Sequence, residues 1–359
     1  MRSILWPIFV LTSAVFAVEL PVFENGKDGY AIYRIPSIIT AANGHVLAFA
    51  EARKNGSGDA GDIDLVLRRS TDAGKTWLPQ QIVWDDEANT CGNPCPVVDT
   101  KTGAIHLLLT WNSGTEHESA IRSGKSTLGR RPFQSVSTDH GVTWAKPTDI
   151  SAQADRPEWR WYATGPGRGI QLLRGSHAGR FVIPANHSRA DGIYDAHALL
   201  SDDNGKTWRI SSALGDGANE SCVAELHDGS VLFNTRMQTH GRGFRTTAKS
   251  IDGGESWTPL ADQNALPCPR CEGSLLRWDS SVKSPLLFCN PAGPGRSNIT
   301  LRASLDEGAT WPHSMLLFAG KGPGYTALTQ LDGQQIGVLH ETATGISLQS
   351  IALTGLIGK

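Results

Sequence analysis

An eight-residue pattern, Ser-x-Asp-x-Gly-x-(Ser/Thr)-Trp, occurs five times in this chain of 359 residues. Its copies end in five of the eleven tryptophans and begin 49 to 67 residues apart. The Asp carboxylate can accept N–H bonds across a tight turn, Gly supplies a positive φ, and Trp is a large apolar anchor. Recurrence at this spacing is typical of a repeated unit of four short antiparallel strands. The copies, called Asp-boxes below, are Ser70–Trp77, Ser137–Trp144, Ser201–Trp208, Ser250–Trp257 and Ser304–Trp311.

Strand-like segments rich in β-branched and aliphatic residues surround each Asp-box, and a sixth set follows the last one without an Asp-box of its own. Each set can be divided into strand, tight turn, strand, long loop, strand, Asp-containing turn and strand. Dipeptides such as Asn43-Gly44 and Asp228-Gly229 mark the first turns. The pattern predicts an all-β protein, a six-bladed β-propeller with five Asp-box turns. A β-solenoid and paired β-sandwiches are the alternatives.

The N-terminus has the features of a secretory signal peptide. A basic residue, Arg2, precedes an apolar run over residues 4–18 that is too short to span a membrane and is interrupted by a proline. Cleavage after the small residue Ala17 would leave one propeller domain over residues 18–359, secreted or periplasmic and without a membrane span. An uncleaved N-terminal anchor is the alternative to the signal peptide at 1–17.

The charge balance argues against nucleic acid or an anionic membrane as partner, since 33 Lys and Arg face 35 Asp and Glu. The six cysteines need not pair, because a chain of this length buries a sufficient core without disulfides. The spacings of Cys91 to Cys95 and of Cys268 to Cys271 could suggest a metal site, but neighbouring prolines favour bends and no His pair completes a ligand set. We therefore expect neither a metal nor another cofactor.

Blade topology gathers the unusual polar residues at one end of the sheets. The start of the first strand, the end of the second and the loop after it share that end, whereas the Asp-boxes lie at the other. Three arginines from separate blades would repel one another there unless an anion lies between them, and a carboxylate suits the planar guanidinium. For any single arginine an ion pair at the surface or between blades is the alternative. Of the seven residues concerned, three are predicted to precede a first strand, two to end a second strand and two to lie in the loop after it: Arg34, Glu220 and Tyr325; Arg53 and Arg236; Asp59 and Arg296.

The sequence resembles the exo-α-sialidase (neuraminidase) family of retaining glycoside hydrolases over about residues 22–353. Asp-boxes alone occur in many unrelated propellers, but the ordered set Arg, Asp, Glu, Arg, Arg, Tyr is specific. The resemblance implies hydrolysis of terminal α-linked sialic acids from sialylated glycans, namely glycoproteins, gangliosides and sialyl-oligosaccharides. The matching segments include Tyr33-Arg34-Ile35-Pro36, Asn93-Pro94-Cys95-Pro96, Trp161-Tyr162-Ala163-Thr164-Gly165, Asn219-Glu220-Ser221 and Arg296-Ser297-Asn298.

Carried over to this chain, the resemblance implies a carboxylate-binding triad and one further substrate contact. Arg34, Arg236 and Arg296 would hold the carboxylate of the sialic acid, and Arg53 would line the pocket near the 4-hydroxyl of the sugar. Cys271-Glu272 departs from the family, in which Gln is expected at position 272. An extra acid near the site leaves the detail of the subsites open.

The resemblance also implies the catalytic roles: Tyr325 as nucleophile, Glu220 as its proton acceptor and Asp59 as acid/base. Sialidases with a Tyr nucleophile are a known exception to the scheme of two carboxylates. The types suit the chemistry, because a neutral phenol can approach a carbon that carries a carboxylate, and its pKa near ~10 then requires a base. Asp62 or Asp64 could replace Asp59 in the acid/base role.

Two alternatives concern function as a whole. The first is a trans-sialidase, in which a sugar hydroxyl replaces water, and the second is a non-catalytic Asp-box propeller that binds glycans or proteins. In the second case Glu220 would be a solvated loop acid and Tyr325 an ordinary aromatic at a strand edge. Retention of Tyr325, Glu220 and Asp59 together favours the enzyme.

Overall fold

A computed structural model describes residues 19–239, 241–278, 284–322 and 324–358. The signal peptide predicted for residues 1–17 lies outside the described residues. Within them the chain is an all-β propeller, as the repeats predict, with three short α-helices. No described helix has the length and apolar character required to cross a membrane.

The strands follow one another with short connections. In chain order they are β1 Glu19–Glu24, β2 Ile32–Thr40, β3 Val46–Arg53, β4 Ile63–Ser70, β5 Gln81–Trp84, β6 Thr90–Val98, β7 Ile105–Asn112, β8 Arg130–Ser137, β9 Thr148–Asp149, β10 Tyr162–Thr164, β11 Ile170–Gln171, β12 Phe181–Ser188, β13 Tyr194–Ser201, β14 Arg209–Ile210, β15 Ala218–Glu225, β16 Val231–Met237, β17 Phe244–Ser250, β18 Ala261–Pro267, β19 Ser274–Arg277, β20 Leu286–Gly293, β21 Ser297–Ser304, β22 His313–Lys321, β23 Thr326–Gln330, β24 Gln335–Thr342 and β25 Gly345–Ala352. The helices are α1 Glu118–Arg122, α2 Ser151–Ala154 and α3 Leu353–Ile357, and a 3₁₀ turn covers Gly175–His177.

The described strands pair into five hydrogen-bonded sheets, whereas the sequence predicts six. Four sheets are antiparallel meanders, with the orders β1-β25-β24-β23, β10-β12-β13-β14, β15-β16-β17-β18 and β19-β20-β21-β22. The fifth sheet has eight strands, because one parallel pair, Ile63 with Thr90, joins the meander β2 to β5 to the meander β6 to β9. The Ile63 N–H donates to the Asn89 carbonyl at 3.1 Å, so the contact arises where the two meanders approach each other.

The two ends of the chain meet in one sheet. Strand β1 pairs antiparallel with β25, with Glu19 opposite Gln349 and Glu24 opposite Gly345. The sequence analysis assigned no strand to residues 19–24. This pairing depends on a partner more than 300 residues away, so no local sequence pattern indicates it.

The larger apolar clusters of the described residues lie between meanders. Five of the six join meanders that are consecutive in the chain, and the sixth joins the last meander to the first, with members such as Leu348 and Ala48. Because each sheet is covered on both faces, central strands are apolar along their length: the side chains of Val46–Ala50 are fully buried. Burial of a side chain such as Phe49 contributes about 2–3 kcal/mol.

The Asp-boxes form turns with a shared set of hydrogen bonds. In the first copy the Asp72 carboxylate accepts two hydrogen bonds from Thr76, from its N–H at 2.9 Å and from its hydroxyl at 2.6 Å. The Ser70 hydroxyl accepts the N–H of Gly74 at 2.8 Å. The other four copies repeat these bonds at 2.5 to 3.0 Å. The bonds from Thr76 lower the pKa of Asp72 to about 2.

The Asp-box glycines also allow close packing against the preceding meander. A Cβ on Gly74 would lie 2.5 Å from Leu348, and a Cβ on Gly141 would lie 2.3 Å from Leu47. Both glycines have positive φ, 86° and 82°. Any side chain at these positions would therefore strain the turn and separate two sheets.

Candidate active site

All seven polar residues singled out in the sequence line one cavity of ≈ 240 Å³ at the end of the sheets away from the Asp-boxes. Five occupy the predicted places. Arg53 ends β3, Arg236 is the next-to-last residue of β16, Tyr325 directly precedes β23, Asp59 lies in the loop after β3, and Arg296 lies in the turn after β20.

The other two residues lie inside strands, whereas the sequence analysis placed them before strands. Arg34 belongs to β2 and Glu220 to β15, and in each case the pairing with the next strand shifts at that point, between Arg34 and Ser37 and between Ala218 and Ser221. Such β-bulges insert an extra residue and change the direction of a side chain while pairing continues on both sides. Strand β6 has a bulge at the same level, between Gly92 and Cys95.

Tyr325 lines the cavity, and its hydroxyl contacts the carboxylate of Glu220 and the guanidinium of Arg236. Its hydroxyl lies 2.6 Å and 2.7 Å from the two carboxylate oxygens of Glu220, to which it donates. Arg236 Nη1 lies 2.7 Å from Glu220 Oε2 and donates to the Tyr325 oxygen at 3.2 Å. The guanidinium carbons of Arg34 and Arg296 lie 5.3 Å and 5.5 Å from the centre of the phenol ring. Burial, followed by the charge of Glu220, raises the pKa of Tyr325 well above its usual value.

A buried acid that the sequence analysis missed fixes both the nucleophile candidate and one triad arginine. Glu341 Oε1 accepts Arg34 Nε at 3.1 Å and the N–H of Ile35 at 3.0 Å, and Oε2 accepts the N–H of Tyr325 at 3.0 Å. Burial opposes the charge on Arg34, but Glu341, together with Tyr325, Asp59 and Glu51, outweighs burial and raises the pKa of Arg34. Glu341 stands near the end of β24, as Arg53 does in β3, so the rule that placed Arg53 at the site could have found it.

Glu272, the departure from the family pattern, lies beneath Tyr325 and does not contact the opening of the cavity. Its side chain is buried, and Oε2 accepts the N–H of Thr326 at 3.0 Å. Burial raises the pKa of Glu272 well above its usual value, and the nearby Glu220 and Glu341 add to the rise. In its protonated form the Glu272 carboxyl is neutral and has a donor and an acceptor, as the amide of the Gln expected at this position has.

The acid/base candidate Asp59 lies at the rim, with 65% of its side chain exposed. Arg53 Nη1 contacts Asp59 Oδ1 at 2.8 Å, and Arg34 Nη1 contacts the same oxygen at 3.5 Å. Partial burial raises the pKa of Asp59, but Arg53 and Arg34 outweigh it, so that the net shift is downward. Glu51 accepts Arg53 Nη2 at 2.6 Å and thereby fixes the arginine. Of the alternatives to Asp59, Asp62 pairs with Lys54, and neither Asp62 nor Asp64 lines the cavity.

The wall opposite Tyr325 contains a further buried arginine. Arg130 donates to Asn112 at 2.7 Å, to Thr110 and to Asn93, and its guanidinium carbon lies 4.4 Å from the ring centre of Trp161. These partners are neutral, and burial lowers the pKa of Arg130. Glu118 lines the same wall and accepts the hydroxyl of Tyr194; burial raises the pKa of Glu118.

The described lining carries five arginines and four acidic residues. From the sequence, the arginines are predicted to repel one another unless an anion lies among them. The structure corrects this point, because Glu220 and Glu341 already supply counter-charges to Arg236 and Arg34. An excess of guanidinium groups nevertheless faces the cavity, which suits an anionic ligand. The residues are Arg34, Arg53, Arg130, Arg236 and Arg296 against Glu51, Asp59, Glu118 and Glu220.

The described residues contain no group of three or more His, Cys, Asp or Glu side chains arranged to hold a metal ion. The cysteines of both short-spaced pairs, Cys91 with Cys95 and Cys268 with Cys271, are buried thiols outside any disulfide. Burial raises the pKa of Cys91 and Cys95.

The family model of the BNR repeat-like domain matches residues 44–340. The sialidase of Micromonospora viridifaciens is 34% identical over 354 residues, which cover 95% of this chain and 54% of that protein. The exo-alpha-sialidase of Aspergillus fumigatus is 31% identical over 371 residues, which cover 92% of this chain and 86% of that protein. The chain thus spans about half the length of the first relative and most of the second.

Solved structures agree with the sequence comparisons. The Hadza microbial sialidase Hz136 superposes with a TM-score of 0.84 at 32% identity, covering 92% of this chain and 68% of that one. An intramolecular trans-sialidase from Ruminococcus gnavus superposes with a TM-score of 0.80, covering 96% of this chain and 99% of that one. Its identity of 18% supports likeness of fold alone.

Proposed function

Because the chain belongs to the sialidase family, we propose that it is an exo-α-sialidase, a glycoside hydrolase that releases terminal α-linked sialic acids from sialylated glycans. One observation carries the proposal: the Tyr325 hydroxyl is bonded to both oxygens of Glu220, among the guanidinium groups of the predicted triad. A neutral nucleophile beside its base and a carboxylate-binding site are what this reaction requires.

Proton transfer from Tyr325 to Glu220 changes the electrostatics in favour of attack. While Glu220 is charged, it raises the pKa of the phenol. Once Glu220 has taken the proton it is neutral, and the phenolate then faces Arg236 at 3.2 Å. The oxygen can attack the anomeric carbon, giving a covalent intermediate that water resolves with retention of configuration.

Asp59 is proposed to protonate the leaving oxygen and later to activate water. For the first step it must hold a proton, although Arg53 and Arg34 lower its pKa. A substrate carboxylate bound to Arg34 would offset part of that positive charge, and a sugar over Asp59 would shield it from water. Both effects raise the pKa of Asp59 when the glycoside binds.

The architecture is proposed to be a ring of six blades formed by residues 18–359 as one domain. The eight-stranded sheet divides at its single parallel pair into two meanders of four strands, and six apolar clusters join neighbouring meanders around the ring. The apolar N-terminus supports secretion or export to the periplasm after cleavage at residue 17.

The product of wild-type protein acting on sialyllactose, followed by NMR, tests the reaction. We expect free sialic acid to appear first as its α-anomer. First appearance of the β-anomer would exclude a covalent tyrosine intermediate. Accumulation of sialylated acceptor in place of free sugar would indicate a trans-sialidase, and binding without turnover would indicate a glycan-binding propeller.

A further inference from the structure

A second cavity, of ≈ 540 Å³, lies at the opposite mouth of the central channel. It is lined by the far ends of the innermost strands, which begin at the active site. In β2, for example, Arg34 lines the active-site cavity, whereas Thr40, six residues later, lines the second one. At about 3.3 Å per residue these positions are roughly 20 Å apart. The two cavities are therefore separate sites.

The walls of the second cavity are largely apolar. Val97 of β6, Val223 of β15 and Leu275 of β19 are buried and line it, and Leu276 continues the same surface. These side chains come from three different meanders, so the apolar surface surrounds the channel and is not confined to one sheet. Such walls favour a ligand with an apolar body over a polyhydroxylated sugar.

Most charged groups of this cavity are neutralised inside the protein. Arg174 pairs with Glu225 at 3.1 Å, and Arg277 pairs with Glu307 at 2.7 Å. Arg168 differs: it makes no ion pair within the described part of the chain, and its Nε is shielded from solvent without a hydrogen-bond partner. Burial lowers the pKa of Arg168, and no carboxylate offsets this effect.

We propose that this far mouth is a second binding site, which takes a small organic monoanion through a carboxylate on Arg168 and an apolar body against Val97, Val223 and Leu275. Arg168 is half-buried, and a guanidinium partly shielded from water without a counter-charge is unfavourable; a guanidinium–carboxylate pair removes that penalty. A monoanion fits because Arg168 is the one arginine of this lining, among the residues described, that lacks an internal acid. The inference is independent of the sialidase reaction.

Titration with 4-fluorobenzoate, followed by ¹⁹F NMR, tests the site. Because the active-site arginines can also bind a carboxylate, the titrations compare wild type, Arg168→Met and Arg296→Met. We expect Arg168→Met to weaken binding at one site at least tenfold, with unchanged sialoside hydrolysis, and Arg296→Met to retain that site. Arg168→Lys keeps the charge and should retain most of the affinity.

Two results would overturn the proposal. One is wild-type affinity in Arg168→Met, and the other is loss of all fluorobenzoate binding in Arg296→Met, which would assign the whole signal to the active site. If Arg168→Met does not fold, Arg168→Gln removes the charge with a polar side chain and is held to the same criterion.

Discussion

The two ends of the sheets differ in whether their hydrogen bonds join residues close together or far apart in the chain. At the Asp-box end the same three hydrogen bonds occur five times, each made by residues within one eight-residue segment. At the active-site end each important residue occurs once, and its partners lie far away in the chain: Tyr325 and Glu220 are 105 residues apart, Arg34 and Glu341 are 307 apart. The repeated end stabilises the fold, and the unrepeated end contains the residues proposed to carry the chemistry. Substitutions at the two ends should therefore affect different measurements.

Tyr325→Phe should give the largest effect on activity. The ring keeps its place between Arg34 and Arg296, but the attacking oxygen is lost, so we expect kcat to fall by roughly a thousandfold or more. Thermal unfolding should be little changed. Hydrolysis of a fluorogenic sialoside measures the loss, and turnover at the wild-type rate would remove Tyr325 as nucleophile.

Glu220→Gln should give the second largest effect on activity. We expect kcat to fall by about 10²- to 10⁴-fold, which is the usual contribution of a positioned base. Strand β15 offers a matched control, because Glu225 at its other end is also buried and bonded to an arginine. Glu225→Gln should lower stability and leave kcat close to that of wild type. Equal losses of kcat in both variants would contradict the division between the two ends.

Asp203→Ala tests the repeated end. Loss of the bonds from the Thr207 N–H and hydroxyl should lower the free energy of unfolding by about 1–2 kcal/mol with no change in kcat. Partial burial opposes ionisation, but the hydroxyl of Thr207 and the other bonds lower the pKa of Asp203 to about 2. The stabilisation is therefore complete above the unfolded pKa near ~4 and disappears as pH falls through about 2. Urea unfolding of wild type and Asp203→Ala at pH 7 and at pH 2 measures the loss of stability and its dependence on pH. A difference in unfolding free energy between the two proteins that is the same at both pH values would contradict this explanation.

Glu272→Gln should have the smallest effect, a change in stability whose size depends on pH. Burial raises the pKa of Glu272 in the fold above its unfolded value near ~4.3, so wild-type stability falls as pH rises above the unfolded value. A Gln cannot ionise, and the variant should match wild type at pH 4 and unfold at a higher temperature at pH 8. Parallel melting curves at both pH values would show that Glu272 is charged in the fold.

The sequence predicted much of the site but not its internal support. The seven candidate residues share one cavity because the repeat and the blade topology place them at or near the same end of the sheets. Glu341 and Arg130 were not found, and both bond to residues from other parts of the chain. Glu51 was not found either: it bonds to Arg53, two residues away, but it also accepts the N–H of Asn93 from the next meander. The bulges that place Arg34 and Glu220 inside strands were missed too, because strand-pairing irregularities depend on both strands and not on one segment.

By itself the sequence determined the repeating turn, the all-β propeller and the residue types of the site, because these depend on local backbone preference and on order along the chain. Only the tertiary structure decided which groups neutralise one another. It brought Glu220 to Tyr325 and Glu341 to Arg34, and it left Arg168 without an internal carboxylate in the described residues. The physical reason is that charge interactions depend on distance and burial in space, and a closed ring brings together residues from opposite ends of the chain.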